Sequence, residues 1–205
     1  VYTVYVCVYA VYMDNQATRS RIALAGRRLL NKGGAEAVTM RRVAKSAGIT
    51  AMAIYRHYPG RDALLNDLAN TGFQELAVRL TSVPPSHDVE SWLLEMAEIY
   101  LDHALENPRL FELMFLQPRS GARRYPRDFK AGESPTANRM AEAVRQGMGS
   151  GYFRKDDVWE IVFELGALSH GMIMLYLGGR TGLKGSRFRA LYRSSFRRYI
   201  NGIRK

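Results

Sequence analysis

Residues 39–65, TMRRVAKSAGITAMAIYRHYPGRDALL, decide how the whole chain is to be read. Thr39 can cap a short helix from Met40 to Ala47 that buries Val43 and Ala44 and stops at Gly48. Thr50 can cap a second, Ala51 to about Tyr58, and Pro59-Gly60 breaks the chain after it. Two short helices joined by a turn of about three residues make a helix-turn-helix. Glycine at 48 can supply left-handed backbone, Ile49 pins the turn into the core, and Ala44 is small where the helices must cross closely. In such a unit the second helix can lie in the major groove of DNA, its N-terminal residues towards base edges.

Charge points to the same segment. The 205 residues carry 30 Lys and Arg against 19 Asp and Glu, a net charge of +11 that suits a polyanionic partner. Residues 18–65 hold ten of the basic side chains and only two acidic ones, Glu36 and Asp62. The remaining 140 residues after them are close to neutral, with twenty basic and sixteen acidic groups. A small polyanion-binding domain joined to a near-neutral one has this pattern. Arg41 and Arg42, beside the groove-reading unit, are placed for the DNA backbone.

The segment resembles the N-terminal domain of the TetR/AcrR family of transcriptional regulators over residues 18–66. The resemblance rests on T-x-R-x-V-A-x-x-A-G-I-T from Thr39 and on I-Y-R-H-Y-P-G-R-D-A-L-L from Ile54, close to the family's Y-x-H-F-x-x-K-x-x-L-L. It implies a homodimeric DNA-binding regulator whose variable helical domain binds a small molecule and releases operator DNA. By the same resemblance Thr39 meets a phosphate from the start of its helix, Tyr55 and His57 bond or pack against phosphates, and Arg61 takes the place of a phosphate-binding lysine. Thr50, Ala51, Met52 and Arg56 face the groove. Ala51 and Met52 depart from the Lys, Arg or Ser often found there, which leaves thymine methyls as their targets and Arg56 as the candidate for reading guanine.

The rest of the chain reads as helix. The first twelve residues, VYTVYVCVYAVY, have strand propensity and no charge, and residues 1–17 read as a flexible extension, with a strand pairing to another chain as the alternative. Thr18 can cap a helix to about Lys32, a long helix runs from Arg61 to about Leu80, and residues 118–134 form a mobile loop rich in Pro, Gly and charge. The fold class is all-α: a helix-turn-helix domain over 18–66, then a larger ligand-binding and dimerisation domain over 67–205.

In that second domain residues 158–177 are apolar nearly all round, so the helix needs partners on two sides. The final helix, about 186–204, buries Phe188, Tyr192, Phe196 and Ile200 and turns Arg189, Arg193, Arg197 and Arg204 outward. Pairing both helices with those of a second copy, as a four-helix interface, covers them. A ligand pocket can be drawn from Trp92, Met96, Tyr100, His103, Phe111 and Phe115, with Trp159, Phe163 and His170 from the later helix. Plain core is the competing reading for each.

The single cysteine, Cys7, excludes an internal disulfide framework, and four scattered histidines give no metal-ligand spacing. No G-x-S-x-G, P-loop or dinucleotide fingerprint is present, so neither an enzyme nor a cofactor is expected. No run of about 20 uninterrupted apolar residues suggests a membrane span, and the expected location is the cytoplasm. Two alternatives from other classes stay open: a helical small-molecule-binding or hydrolytic protein with a vestigial DNA-binding domain, and a protein held to anionic membranes by Arg189, Arg193 and Arg197.

Overall fold

The computed structural model describes residues 2–205, with side chains from Asn15 onward. Ten α-helices follow one another among the described residues: α1 (Tyr2–Gly33), α2 (Met40–Ala47), α3 (Ala51–Tyr55), α4 (Arg61–Thr81), α5 (Val89–Glu106), α6 (Pro108–Phe115), α7 (Arg127–Lys130), α8 (Pro135–Gly149), α9 (Val158–Leu177) and α10 (Gly185–Ile203). A 3-10 turn, Ala35–Ala37, links α1 to α2. Among the described residues no strand forms, and one isolated bridge pairs Phe153 with Arg204. The class is all-α.

Two compact units divide the chain. The first takes residues up to Gly72 together with Arg109–Gly121; the second takes Phe73–Pro108 and Ala122–Lys205. In the first, Ile22, Ala25 and Leu30 of α1 are buried with Val43, Ala44, Ile54, Leu64 and Leu68. Gly72 lets α4 and α6 approach closely: a Cβ there would lie 2.6 Å from Met114 Sδ and 2.9 Å from Leu110 Cδ2. Three polar groups close a triangle across this unit. The Tyr58 hydroxyl donates to Asp67 Oδ2 at 2.6 Å, Arg19 Nη2 donates to Asp67 Oδ1 at 3.0 Å, and the Arg19 guanidinium lies over the Tyr58 ring at 5.0 Å.

In the second unit, α5 is buried along Trp92, Leu93, Met96, Ala97, Tyr100 and His103. Asp88 caps α5 by accepting from Ser91 N, and Asp157 caps α9 by accepting from Trp159 N and Glu160 N. On α10, Arg189 reaches Glu98 at 2.6 Å and Asp102 at 2.5 Å, Arg193 reaches Glu98 at 3.7 Å, and Arg197 reaches Glu90 at 3.3 Å.

The structure refines or corrects several expectations. Arg189, Arg193 and Arg197 turn outward as expected, but each is paired with an acid of α5, Glu98, Asp102 or Glu90, instead of standing alone. The backbone from Tyr2 is helical, not extended, and Thr18 stands inside α1 instead of capping it. Lengthening an existing helix needs no new nucleus, and this outweighs the strand propensity of valine and tyrosine. The loop after Pro118 contains the helical turn α7, where the buried Asp128 accepts from Arg124 N at 2.6 Å and from Arg127 Nε at 2.5 Å. Helix α3 is also shorter than its sequence suggests, ending at Tyr55 with Arg56 as its C-cap.

Replacing Tyr58 by Phe removes the hydroxyl of the triangle and keeps the ring. Urea unfolding should show a loss of about 1–3 kcal/mol, as for a hydrogen bond to a charged group; an unchanged midpoint would mean that the bond contributes nothing.

Candidate functional site

The helix-turn-helix is built by its caps. Thr39 has extended backbone, and its Oγ1 accepts from Arg42 N at 3.4 Å. Gly48 is left-handed (φ 67°), and its N–H returns to the carbonyls of Ala44 and Lys45. Ile49 N donates to Ala44 O at 3.1 Å, which turns the chain. Thr50 then caps α3 by accepting from Ala53 N at 3.1 Å. A glycine at 48 is required because a Cβ would strain the left-handed turn that separates the two helices.

These caps sort the side chains into two faces. Val43, Ala44, Ile54 and Tyr58 are buried, while Thr39, Arg41, Arg42, Lys45, Thr50, Ala51 and Arg56 are exposed. Met52 is 73% exposed and Tyr55 51%, so neither anchors the core. His57 is half-buried. Among the described residues no acidic side chain pairs with Arg41, Arg42, Lys45 or Arg56. The outward face of α2 and α3 thus combines free cations with an apolar tip, Ala51 and Met52.

Arg61 behaves otherwise. Its Nε donates to Val38 O at 2.9 Å, one Nη2 hydrogen reaches Ala35 O at 2.8 Å, and Glu36 Oε1 lies 3.3 Å from the same nitrogen. The guanidinium ties the start of α4 to the carbonyls just before α2, a task that a lysine could perform only in part. Sequence reasoning missed this, and it missed Tyr58, Asp67 and Arg19. The signal was available: Tyr58 and Arg61 stand where the family pattern has Phe and Lys, and both added polar groups find partners.

The pocket candidates divide between the two units. Phe111 and Phe115 lie in the first, their ring centroids 4.8 Å apart and their planes tilted by 49°. In the second, Trp92, Met96, Tyr100 and His103 share the buried face of α5. Trp159 lies under Arg145 at 5.1 Å, and Phe163, 46% exposed, stacks on Tyr125 at 4.4 Å. His170 joins α9 to α5: its Nε2 is 3.0 Å from the Tyr100 hydroxyl and its Nδ1 is 2.7 Å from Gly166 O. A carbonyl only accepts, so Nδ1 carries the hydrogen and Nε2 accepts from Tyr100.

Burial holds the His170 imidazolium below its ordinary value, with the Gly166 carbonyl opposing, and burial raises Tyr100. Unfolding therefore takes up a proton at His170 below about pH 6.5, the ordinary value of a histidine. Stability from the neutral ring is full above that pH and is lost as pH falls towards the folded value. Wild type should lose more stability between pH 7.5 and 5.5 in urea unfolding than His170→Gln; equal losses would contradict this.

Comparisons with known proteins agree with this geometry. Residues 22–68 match the family described as bacterial regulatory proteins, tetR family, and residues 93–199 match the tetracyclin repressor-like C-terminal domain. The HTH-type transcriptional regulator Rv1816 of Mycobacterium tuberculosis is 25% identical over 141 residues, which are 67% of this chain. The match spans 60% of the length of that relative. A Rhodococcus sp. RHA1 protein of unknown function shares the fold with a TM-score of 0.76, at 24% identity over 92% of this chain and 96% of that one. A TetR variant from Acinetobacter baumannii AYE, solved in complex with minocycline, has a TM-score of 0.63 at 21% identity, over 88% of this chain and 93% of that one. With the second match alone covering just over half of its length, the chain belongs to the TetR family of bacterial regulatory proteins.

Proposed function

We propose that the protein is a cytoplasmic, homodimeric, sequence-specific DNA-binding regulator of transcription, a repressor released from its operator by a hydrophobic or aromatic small molecule. The observation that carries this reading is the outward face of α2 and α3, with Arg41, Arg42, Lys45 and Arg56 exposed around the apolar Met52. Thr39, Tyr55, His57, Arg61 and the exposed cations position the duplex through phosphates, and Thr50, Ala51, Met52 and Arg56 read the groove. The family is one of regulators and not of enzymes, which leaves the hydrolytic alternative without support.

Dimerisation is supported by α9. Phe163, Ala167, Gly171 and Leu175 follow one another at a spacing of four residues, all exposed, and Leu191 of α10 is 39% exposed. One helix turn apart, these positions form a ridge that an equivalent α9 can cover. This helix is also long and apolar enough to cross a membrane by length and composition. Its opposite side, Ile161, Val162, Leu165, Ser169 and Ile173, is buried in the unit, as for a core helix with a second partner still to come.

The small-molecule reading draws on the Tyr100–His170 pair, a polar handle among the apolar side chains of α5, and on the minocycline-bound relative. Helix α4 begins at Arg61 in the first unit and ends at Thr81 in the second, so it can carry a shift from effector to DNA. Such coupling is on the order of 1–3 kcal/mol.

Arg56→Ala should weaken operator binding by about 1–3 kcal/mol and relax preference at one position in each half-site, read by selection from random duplexes. An unchanged consensus would remove Arg56 from base reading. Leu175→Glu should yield monomers in light scattering and lower DNA affinity with them, because an unpaired charge cannot be buried in the seam. A variant that stays dimeric would place the interface elsewhere.

A further inference from the structure

Glu36 is the one acidic side chain among residues 18–61, a stretch with ten basic ones. It sits in the turn that leads into α2, three residues before Thr39, and its side chain is 93% exposed. Its contact is with Arg61 Nη2 at 3.3 Å, on a guanidinium already fixed by the carbonyls of Val38 and Ala35. Those two carbonyl bonds hold Arg61 in place whether or not Glu36 is there. The carboxylate meets the same Nη2 that donates to Ala35 O, at a place where another anion could stand.

We propose that Glu36 is an internal competitor for the DNA phosphate at Arg61, and that it tempers the sequence-independent affinity of this face. The inference rests on the DNA-binding reading above. A phosphate oxygen and a carboxylate oxygen make the same charge-assisted bond to a guanidinium, so the two exclude one another. An exposed ion pair contributes little to stability, but while it stands the guanidinium carries no net charge outward, so in the wild type the neighbouring phosphate keeps its counterion. The cost falls on every duplex alike, because phosphates carry no sequence.

The test uses Glu36→Gln, with Asp62→Asn as the charge-matched control. Asp62 is exposed in the first turn of α4, next to Arg61 in sequence. Binding to a random-sequence duplex of about three helical turns is followed by anisotropy across a salt series, and circular dichroism checks that each variant keeps its helix content. Glu36→Gln should bind several-fold more tightly, and its log–log salt slope should steepen by about 0.9 per protomer, the signature of one more neutralised phosphate. Asp62→Asn should leave the slope unchanged. An unchanged slope in Glu36→Gln, or an equal change in both variants, overturns the competitor role while leaving the regulator reading intact. A wild type that binds the duplex without salt dependence overturns both.

Discussion

Tyr58 cannot be buried without a partner for its hydroxyl, and the way that demand is met fixes the DNA-facing unit. Asp67 on α4 accepts the phenolic proton, Arg19 on α1 neutralises Asp67, and the same guanidinium covers the ring. Burial and the neighbouring carboxylate together drive the Tyr58 hydroxyl well above its ordinary value, so it stays a donor at any physiological pH. Three elements distant in sequence are tied at the point where the chain leaves α3. Helix α3 has only five residues, too few to be stable alone. Its orientation is inherited from α2 through Gly48 and Ile49, and from α4 through Tyr58.

Arg61 completes the frame from the other side. Bound to Val38 and Ala35, it holds the start of α4 against the turn that presents Thr39. Both ends of the helix-turn-helix are thus pinned by arginines acting on α4, one through a carboxylate and one through backbone carbonyls. What remains outward is a short apolar tip between cations, a surface suited to a groove lined with phosphates and thymine methyls.

The DNA-binding unit was largely legible because its signals are local. Thr39, Gly48 and Thr50 act within a few residues of their own positions, and the structure uses each as a cap. By residue type Tyr55 and Tyr58 look alike in one short run; the family resemblance turned Tyr55 towards phosphates, and only tertiary packing shows Tyr58 buried. The pairing of Arg189, Arg193 and Arg197 with Glu98, Asp102 and Glu90 was equally hidden, because those partners lie 87 to 107 positions away. Helical spacing placed Trp92, Met96, Tyr100 and His103 on one face of α5, but spacing cannot bring His170 to Tyr100. Phe111 and Phe115, expected with the same pocket, belong to the other compact unit.

In the proposed recognition α3 reads a groove, and two copies do so together. Selection of bound fragments from random duplex DNA by the full chain tests this most directly. The expected result is an enriched inverted repeat whose half-sites lie about one helical turn, roughly 10–10.5 base pairs, or a multiple of it apart. Retention of fragments without an enriched sequence, or enrichment of a lone half-site, would contradict it.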